Sequence, residues 1–553
     1  MDREAEVLVV GGGPVGLTLA SDLAVRETST ILVESREGPT NHPKATLLGA
    51  RSMEYFRRWG IEDAIFSRAL PPDENYWIIF CTRLSGYEID RFASPSINVV
   101  RHRPPGAEER WPELAWSPYG KTQIGQLDLE PVLINFAKSL DSLDMYHGHK
   151  FLSFEDHGNC VVSELENLKT GERFNIKSKY LVACDGGSSN IRKSLGFKMG
   201  GRGPWRSNVS LYFRSSNFLE MHGKGIGNLY FIFAPDSFGV FTAIDGRELW
   251  SYQLYFLDPT KETEEIDPEE TLHRAMGKPF KFELLATTHW QHHQSVAAQW
   301  RRGNVFLAGD AAHLFAPTGG VGMNTGIADA CDLSWKINAV LTGWGGEELL
   351  DSYQTERRPV AWRNSQRSMT NSDTIDFVMS QVPEEIEEET PKGQQSRKLL
   401  KKNIRWMARQ FNSAGAHLGH RYFTSPIVIP DGTPEPPDDL SRVIQSTWPG
   451  SRAPHAWLNN GSSTLDWFGE GFVLFFAPKK EKAAKQIELV FIEHAIPIFL
   501  RTSDISDIQR LYDLPLVLIR PDGHVAWRGN VPPKNITNLA LQVSGHQIHT
   551  REN

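Results

Sequence analysis

The sequence predicts an α/β protein of several domains: a βαβ unit at the amino terminus, a largely antiparallel sheet inserted in the middle, and a smaller α/β module at the carboxyl end. Three observations carry this. An apolar strand, EVLVV, runs straight into the cluster Gly11-Gly12-Gly13-Pro14-Val15-Gly16 and then into a helical pattern. Aromatic-rich alternating runs (NVSLYFRS, NLYFIF, FGVFTAI, LWSYQLYF), divided by Gly, Asp and Pro, fill residues 207–256. From about 440 a fresh pattern begins with FVLFFAP, IELVFIE, IPIFLR and PLVLIRPDGHVAWRG. A chain of 553 residues exceeds one core, so roughly two to four domains are expected.

In the first unit the glycines fit G-x-G-x-x-G between strand and helix. Gly11 permits the tight turn, Gly13 lets backbone approach a pyrophosphate, and Gly16 lets the helix lie close to the sheet. Pro14 opens the helix, whose free N–H groups and positive dipole end favour phosphate. Glu34, followed by Ser35, ends the second strand, TILVE, where a carboxylate binds a ribose hydroxyl and repels a 2′-phosphate. The adenosine held there belongs to FAD or NAD, not NADP.

Two further segments join strand ends to chemistry-bearing residues. One is YLVACDGGSSNIR, with Asp185 at the strand end and Arg192 beyond it; alone it reads equally as a turn. The other is FLAGDAAHLFAPTGGVGMN, with Gly309-Asp310 at a strand end and Pro317, Gly320, Gly322, Met323 and Asn324 entering a helix. An N-capping role is the plain alternative for Asp310.

Composition narrows the class. The net charge of -8 argues against nucleic acid and anionic membranes as partners. Four scattered cysteines, with no C-x-x-C pair, favour a reducing compartment and speak against structural zinc or disulfide chemistry. No apolar run approaches a transmembrane length, and the start MDREAE lacks a signal-peptide layout, so a cytoplasmic location is expected.

The order GGGPVG, DGGSSNIR, LAGDAAHLFAPTGGVGMN, continued by DLSWK and SYQTERRPVA, resembles the class A flavoprotein monooxygenases, the p-hydroxybenzoate hydroxylase fold. Within them it is most similar to the phenol hydroxylase subgroup with a C-terminal thioredoxin-like domain, suggested by RAPHAWLNNGSSTLDWFGEGFVLFF and PLVLIRPDGHVAWRG. The resemblance implies a Rossmann-like FAD-binding domain at 1–75, 121–197 and 300–370, with a substrate-binding domain at 76–120 and 198–299. A helical segment and linker at 371–439 and a thioredoxin-like domain at 440–553 complete the layout. That last domain contains no cysteine, which excludes thioredoxin redox chemistry and leaves a packing or homodimer-supporting role.

The resemblance assigns the ribityl chain of FAD to Asp310, the neighbourhood of the flavin ring to Gly320, Gly322, Met323 and Asn324, and a flavin contact to Gln126. Pro317 would stiffen the loop beside the ring, and Asp185 with Arg192 would lie between the FAD pyrophosphate and an incoming nicotinamide nucleotide. The family's HPRA arginine is replaced here by Lys44 in HPKA, which keeps the charge but loses the planar fork; Arg51 is expected to share the phosphate contact. In LWSYQLYF, alternation puts Trp250 and Tyr252 on one face and Gln253 and Tyr255 on the other. By resemblance Tyr252, with Trp250 and Thr46, would face substrate, an ordinary packed tyrosine being the open alternative; His42 and His313 read as structural.

The activity implied is NADH- or NADPH-dependent hydroxylation of a phenolic or polyketide-like aromatic compound with O2, through a flavin C4a-hydroperoxide. Baeyer–Villiger or epoxidising oxygenation is the alternative within that chemistry. A non-catalytic FAD-fold binding protein is the alternative from another class, and a flavin oxidase a third. A single G-x-G-x-x-G unit leaves no separate nicotinamide domain.

Overall fold

The computed structural model describes residues 3–255 and 266–547; Phe256, the end of the expected strand LWSYQLYF, lies outside them. Five parallel strands form the heart of the first sheet, in the order Val305–Leu307, Arg173–Ala183, Arg3–Val10, Thr30–Glu34 and Leu143–His147. Val7 to Val10 and Ile31 to Val33 are buried, as expected of strands covered on both faces. The chain starts in the middle of this sheet, builds out to one side, then crosses to the other. That reversal opens a crevice beyond the carboxyl ends of Arg3–Val10 and its neighbours, the usual ligand position in open α/β sheets.

Helix Pro14–Val25 follows the glycine turn, and helix Gly322–Leu341 lies against it. Gly11 has φ +111°, and a Cβ there would sit 2.2 Å from the Cys184 carbonyl oxygen; a Cβ on Gly16 would sit 1.9 Å from the Gly11 carbonyl oxygen. Turn, helix and neighbouring strand therefore approach to a distance that side chains would forbid.

The second sheet has eight strands, ordered His313–Leu314, Glu283–Ala297, Met199–Arg214, Leu249–Tyr255, Ser237–Ala243, Leu229–Ala234, Tyr76–Cys81 and Glu88–Ser94. Its pairings are antiparallel except Leu229–Ala234 with Tyr76–Cys81. The expectation of a largely antiparallel sheet holds for 207–255, and the sheet extends beyond this stretch on both sides.

The helical segment expected within 371–439 is present, and it reaches into the polar stretch after 380 where a linker was expected. Helix Glu348–Ser380 runs through the boundary drawn at 370, and helix Pro391–Met407 follows. Ile375, Val378, Met379, Leu400, Ile404 and Met407 bury themselves against Phe80, Phe231, Phe233 and Phe238 of the second sheet. The polar composition of residues 382–402 obscures this, although Leu400, Ile404 and Met407 recur at helical spacing; full burial of each side chain contributes about 1.5–3 kcal/mol.

The carboxyl-terminal module is a four-stranded sheet ordered Ile498–Arg501, Phe472–Phe476, Leu516–Ile519, Val525–Gly529, with the first pairing parallel and the others antiparallel. One face joins Trp335, Ala339, Trp344 and Leu349 in a shared apolar cluster. A buried ion cluster locks the same junction. Lys336 Nζ donates to Asp332 (2.8 Å) and Glu356 (2.5 Å), while Arg520 Nη2 donates to Glu356 (2.9 Å) and Asp522 (2.7 Å). Three carboxylates thus face two cations. Burial first, then the charges of Glu356 and Asp522, push Asp332 up to about 7 against the pull of Lys336 and Arg520. Glu356, more closely held by Arg520 and Lys336, is drawn down to about 2 despite its burial.

Candidate active site

One cavity of about 1130 Å³ begins at the glycine turn and reaches the second sheet. At its first end, the helix beginning at Pro14 has Gly13 as N-cap and no side-chain cap, so its first N–H groups stay free. A Cβ on Gly13 would meet nothing within 4 Å, in keeping with backbone open to a ligand.

Glu34 lines this end. Its Oε2 accepts from Gly12 N at 2.7 Å, and its Oε1 accepts from Arg36 N at 2.8 Å and Arg36 Nε at 3.1 Å. Burial raises its pKa, but the Arg36 and Gly12 hydrogen bonds and the Arg36 charge win and leave it below the ordinary value. A carboxylate has room for further donors, so ribose hydroxyls remain acceptable partners. Ser35 Oγ leans on Glu34 at 3.3 Å. Arg36, which sequence reasoning missed, also reaches Glu130 at 3.1 Å, and Glu130 takes Gln126 Nε2 at 2.7 Å. Gln126 is thereby fixed at the cavity wall by a chain of charges that begins at Glu34.

Asp310 is exposed, and what it is exposed to is the cavity. Poor solvation there pushes its carboxyl above the ordinary value, with His313 and Lys44 pulling it back. Behind it, His313 Nε2 meets Asp329 Oδ2 at 2.6 Å and Arg357 Nε donates to Asp329 Oδ1 at 2.8 Å, which pins the Gly309 turn. His313 is structural, as expected. Gly309 itself does not line the cavity; its Cβ would meet Val15 at 3.0 Å, so it serves close contact with the first helix.

Pro317, Gly320, Gly322 and Met323 line the cavity where helix Gly322–Leu341 starts, again without a side-chain cap. Gly320 has φ +63°, which glycine alone takes without strain. Asn324 departs from its expected place. Its amide donates to Gly320 O (2.7 Å) and Leu47 O (3.0 Å) and accepts from Gly49 N and Ser52 Oγ (2.7 Å each), so it clamps the loop 47–52 from behind the cavity wall.

Two other residues differ from expectation, and a third serves two roles. Arg51 is buried away from the cavity, donating to Glu54 at 2.9 Å and to the Asp522 carbonyl at 2.5 Å; it ties the second helix to the carboxyl-terminal module and does not share a phosphate contact. Arg192 spends its donors on Ala311 O (3.0 Å) and Gly187 O (2.9 Å), holding two motifs together behind the wall. Asp185 does line the cavity, but its Oδ2 also accepts from Asn190 N at 2.9 Å, so the capping and binding readings coexist. Lys44 and Thr46 line the cavity as expected.

The strand Leu249–Tyr255 alternates as predicted, but the other face is the open one. Trp250 lies on Phe218 at 4.5 Å and Tyr252 on Phe241 at 4.4 Å, both fully buried, with Tyr252 Oη 3.3 Å from Ser237 Oγ. Neither lines the cavity; Gln253 and Tyr255 do, with Ile78, Phe231 and Val240 from neighbouring strands. The helical segment adds Ile375, Gln410 and Phe411. His42 also faces the cavity, 3.0 Å from Thr288 Oγ1, and its pKa is lowered by burial and by Lys44.

Residues 4–368 match the FAD binding domain family and residues 446–545 the aromatic-ring hydroxylase C-terminal family. The chain belongs to the FAD-dependent aromatic-ring hydroxylases. It is 32% identical to a putative polyketide hydroxylase of Streptomyces halstedii over 95% of this chain and 93% of that one. It is 30% identical to 4-methyl-5-nitrocatechol 5-monooxygenase of a Burkholderia species, over 95% of this chain and 94% of that one. The structure of RebC with bound 7-carboxy-K252c superposes with TM-score 0.90 at 33% identity, covering 99% of this chain and 100% of that one.

This hydroxylase has residues that fit FAD: two uncapped helix starts, an open glycine turn, Glu34 with acceptor capacity to spare, and the Asp310 carboxylate facing the cavity. Among the described residues no helix is long and apolar enough to cross a membrane, and no group of three or more His, Cys, Asp or Glu is placed to hold a metal.

Proposed function

We propose that the protein is an FAD-dependent monooxygenase that consumes NADH or NADPH and hydroxylates a phenolic or polyketide-like aromatic compound. The observation that carries this reading is the continuity of the cavity: dinucleotide-binding features at one end and an apolar, aromatic wall at the other share one space. At about 1130 Å³ it exceeds a typical drug-sized pocket of ~300–1,000 Å³, which leaves room for a cofactor and a flat substrate together.

When bound, FAD reduced by a nicotinamide nucleotide supplies the activated oxygen. The chain's own residues supply the surroundings. Ile78, Phe231, Val240, Ile375 and Phe411 exclude water from the substrate end. Burial and the Lys44 charge favour the neutral form of His42, the form that can take a phenol proton, while Thr288 orients its ring. Lys44 adds positive charge beside Asp310 and the phosphate-binding end. The carboxyl-terminal sheet, with its parallel and antiparallel pairings and no cysteine, supports a thioredoxin-like module that serves packing or dimer support and not redox chemistry.

The test is nicotinamide oxidation by the yellow protein with and without a panel of phenols and hydroxylated anthraquinones, following peroxide and product mass. Stimulated oxidation with a product heavier by one oxygen atom supports the reading. A protein that retains no flavin and oxidises neither nucleotide overturns it.

A further inference from the structure

Part of the cavity wall collects nitrogen donors with no carboxylate to neutralise them. Lys121 lines the cavity beside the short strand Thr122–Gln123, and its Nζ donates to the backbone oxygen of Phe411, its one hydrogen bond among the described residues. An ammonium has three N–H groups, so two remain free. Gln123, two residues on in extended chain and hence on the same side, accepts from Asn228 at 3.1 Å, while its own Nε2 is buried without a partner among the described residues. Gln410 is the neighbour of Phe411, is buried, and among the described residues its Nε2 has no partner either. All three residues line the cavity.

The charges around Lys121 do not satisfy it. Glu113 attracts it without forming an ion pair, and Arg367 repels it; His417, packed nearby, is itself disfavoured as a cation by Lys121. Burial, helped by Arg367, pushes the Lys121 ammonium down to about 8. An uncompensated cation and two idle amide donors cost free energy in an apolar wall unless a ligand completes them.

We propose that Lys121, with Gln123 and Gln410, holds an anionic oxygen of the aromatic substrate, either a carboxylate or the oxygen of an acidic phenol. The inference rests on the aromatic-hydroxylase reading of the cavity and adds a charge to its substrate. Lys121 sets the sign, because a glutamine amide can present either end whereas an ammonium cannot accept.

The experiment titrates the FAD holoenzyme by flavin absorbance with two matched pairs: anthraquinone-2-carboxylate against its methyl ester, and 2-hydroxyanthraquinone against its methyl ether. Wild type, Lys121→Met and Lys121→Arg are compared near pH 7 and pH 9.5. The ionised member of at least one pair should bind about tenfold tighter or better in wild type, the size of one charge-assisted contact. Which pair does so distinguishes carboxylate from phenol. The preference should vanish in Lys121→Met and persist in Lys121→Arg. In wild type it should weaken as pH rises through about 8, because the protonated lysine is the binding form; Lys121→Arg should keep it at the higher pH. Equal affinity within both pairs in wild type, or a preference that survives in Lys121→Met, overturns the inference. Failure of the broader reading looks different: no retained flavin, or no nicotinamide oxidation under any ligand.

Discussion

Replacing Asp332 by asparagine should stabilise this protein, and by an amount that depends on pH. In the ion cluster, Asp332 is the carboxylate with the least support, held near 7 when its ordinary value is 3.8. The unfolded chain releases this proton near 3.8, whereas the native state keeps it to about 7. Within that window the native state binds more protons, so wild-type stability falls as pH rises and levels off above about 7. At ~1.4 kcal/mol per pH unit, the penalty is on the order of 4 kcal/mol when complete. Asparagine keeps the shape and an acceptor for Lys336 but has no proton to lose. The stability of Asp332→Asn relative to wild type should therefore climb by that order between about pH 4 and pH 7.5, then stay level. Urea unfolding of the FAD holoenzyme, followed by flavin release and tryptophan fluorescence at each pH, measures it. A flat or falling difference would refute the assignment of the cluster's shared proton to Asp332. Glu356→Gln provides the contrast. Glu356 is drawn down to about 2 from an ordinary 4.5, so its contribution is present above 4.5 and lost as pH falls through about 2. Its removal should cost about 3–5 kcal/mol at pH 7, because Lys336 and Arg520 lose their shared acceptor.

Asp310→Ala should give folded protein with about ten- to hundredfold weaker flavin retention, the loss of one hydrogen bond to a charged acceptor, ~1.5–3 kcal/mol; flavin content after gel filtration at low concentration reads it. Gly16→Ala places a Cβ where the Gly11 carbonyl oxygen now sits, so it should both lower the unfolding midpoint and leave the protein largely colourless at matched expression. Tyr252→Phe should leave KM for any aromatic substrate within about twofold, since among the described residues its hydroxyl hydrogen-bonds only to Ser237, while Gln253→Ala should raise KM without a matching loss of flavin. The opposite pattern would return substrate contact to the face bearing Tyr252.

What could be read in advance was chemistry carried by local backbone. Glycines at strand-to-helix turns and acids at strand ends carry few geometric meanings, so Gly11, Gly13, Gly16, Glu34 and Asp310 could be assigned positions without a structure. The choice of face on Leu249–Tyr255 was not legible, because both faces carry aromatic or amphipathic side chains. It is set by Phe218 and Phe241, which cover Trp250 and Tyr252. Arg51 and Arg192 misled for a related reason: an arginine near a phosphate motif reads as a phosphate ligand until its burial and its backbone acceptors are seen. Lys121 and Phe411 lie 290 positions apart, and no pattern announces such a meeting.

Ile375, Gln410 and Phe411 fall between residue 368, where the first family match ends, and residue 446, where the second begins. The part of the cavity proposed to meet the aromatic ligand is thus built partly from a stretch outside both. Some of the substrate end is therefore encoded apart from the glycine and carboxylate motifs, while Ile78, Phe231 and Val240 lie within the first match. Exchanging this stretch between relatives would retune which molecule is oxidised while every flavin-facing glycine and carboxylate stayed in place.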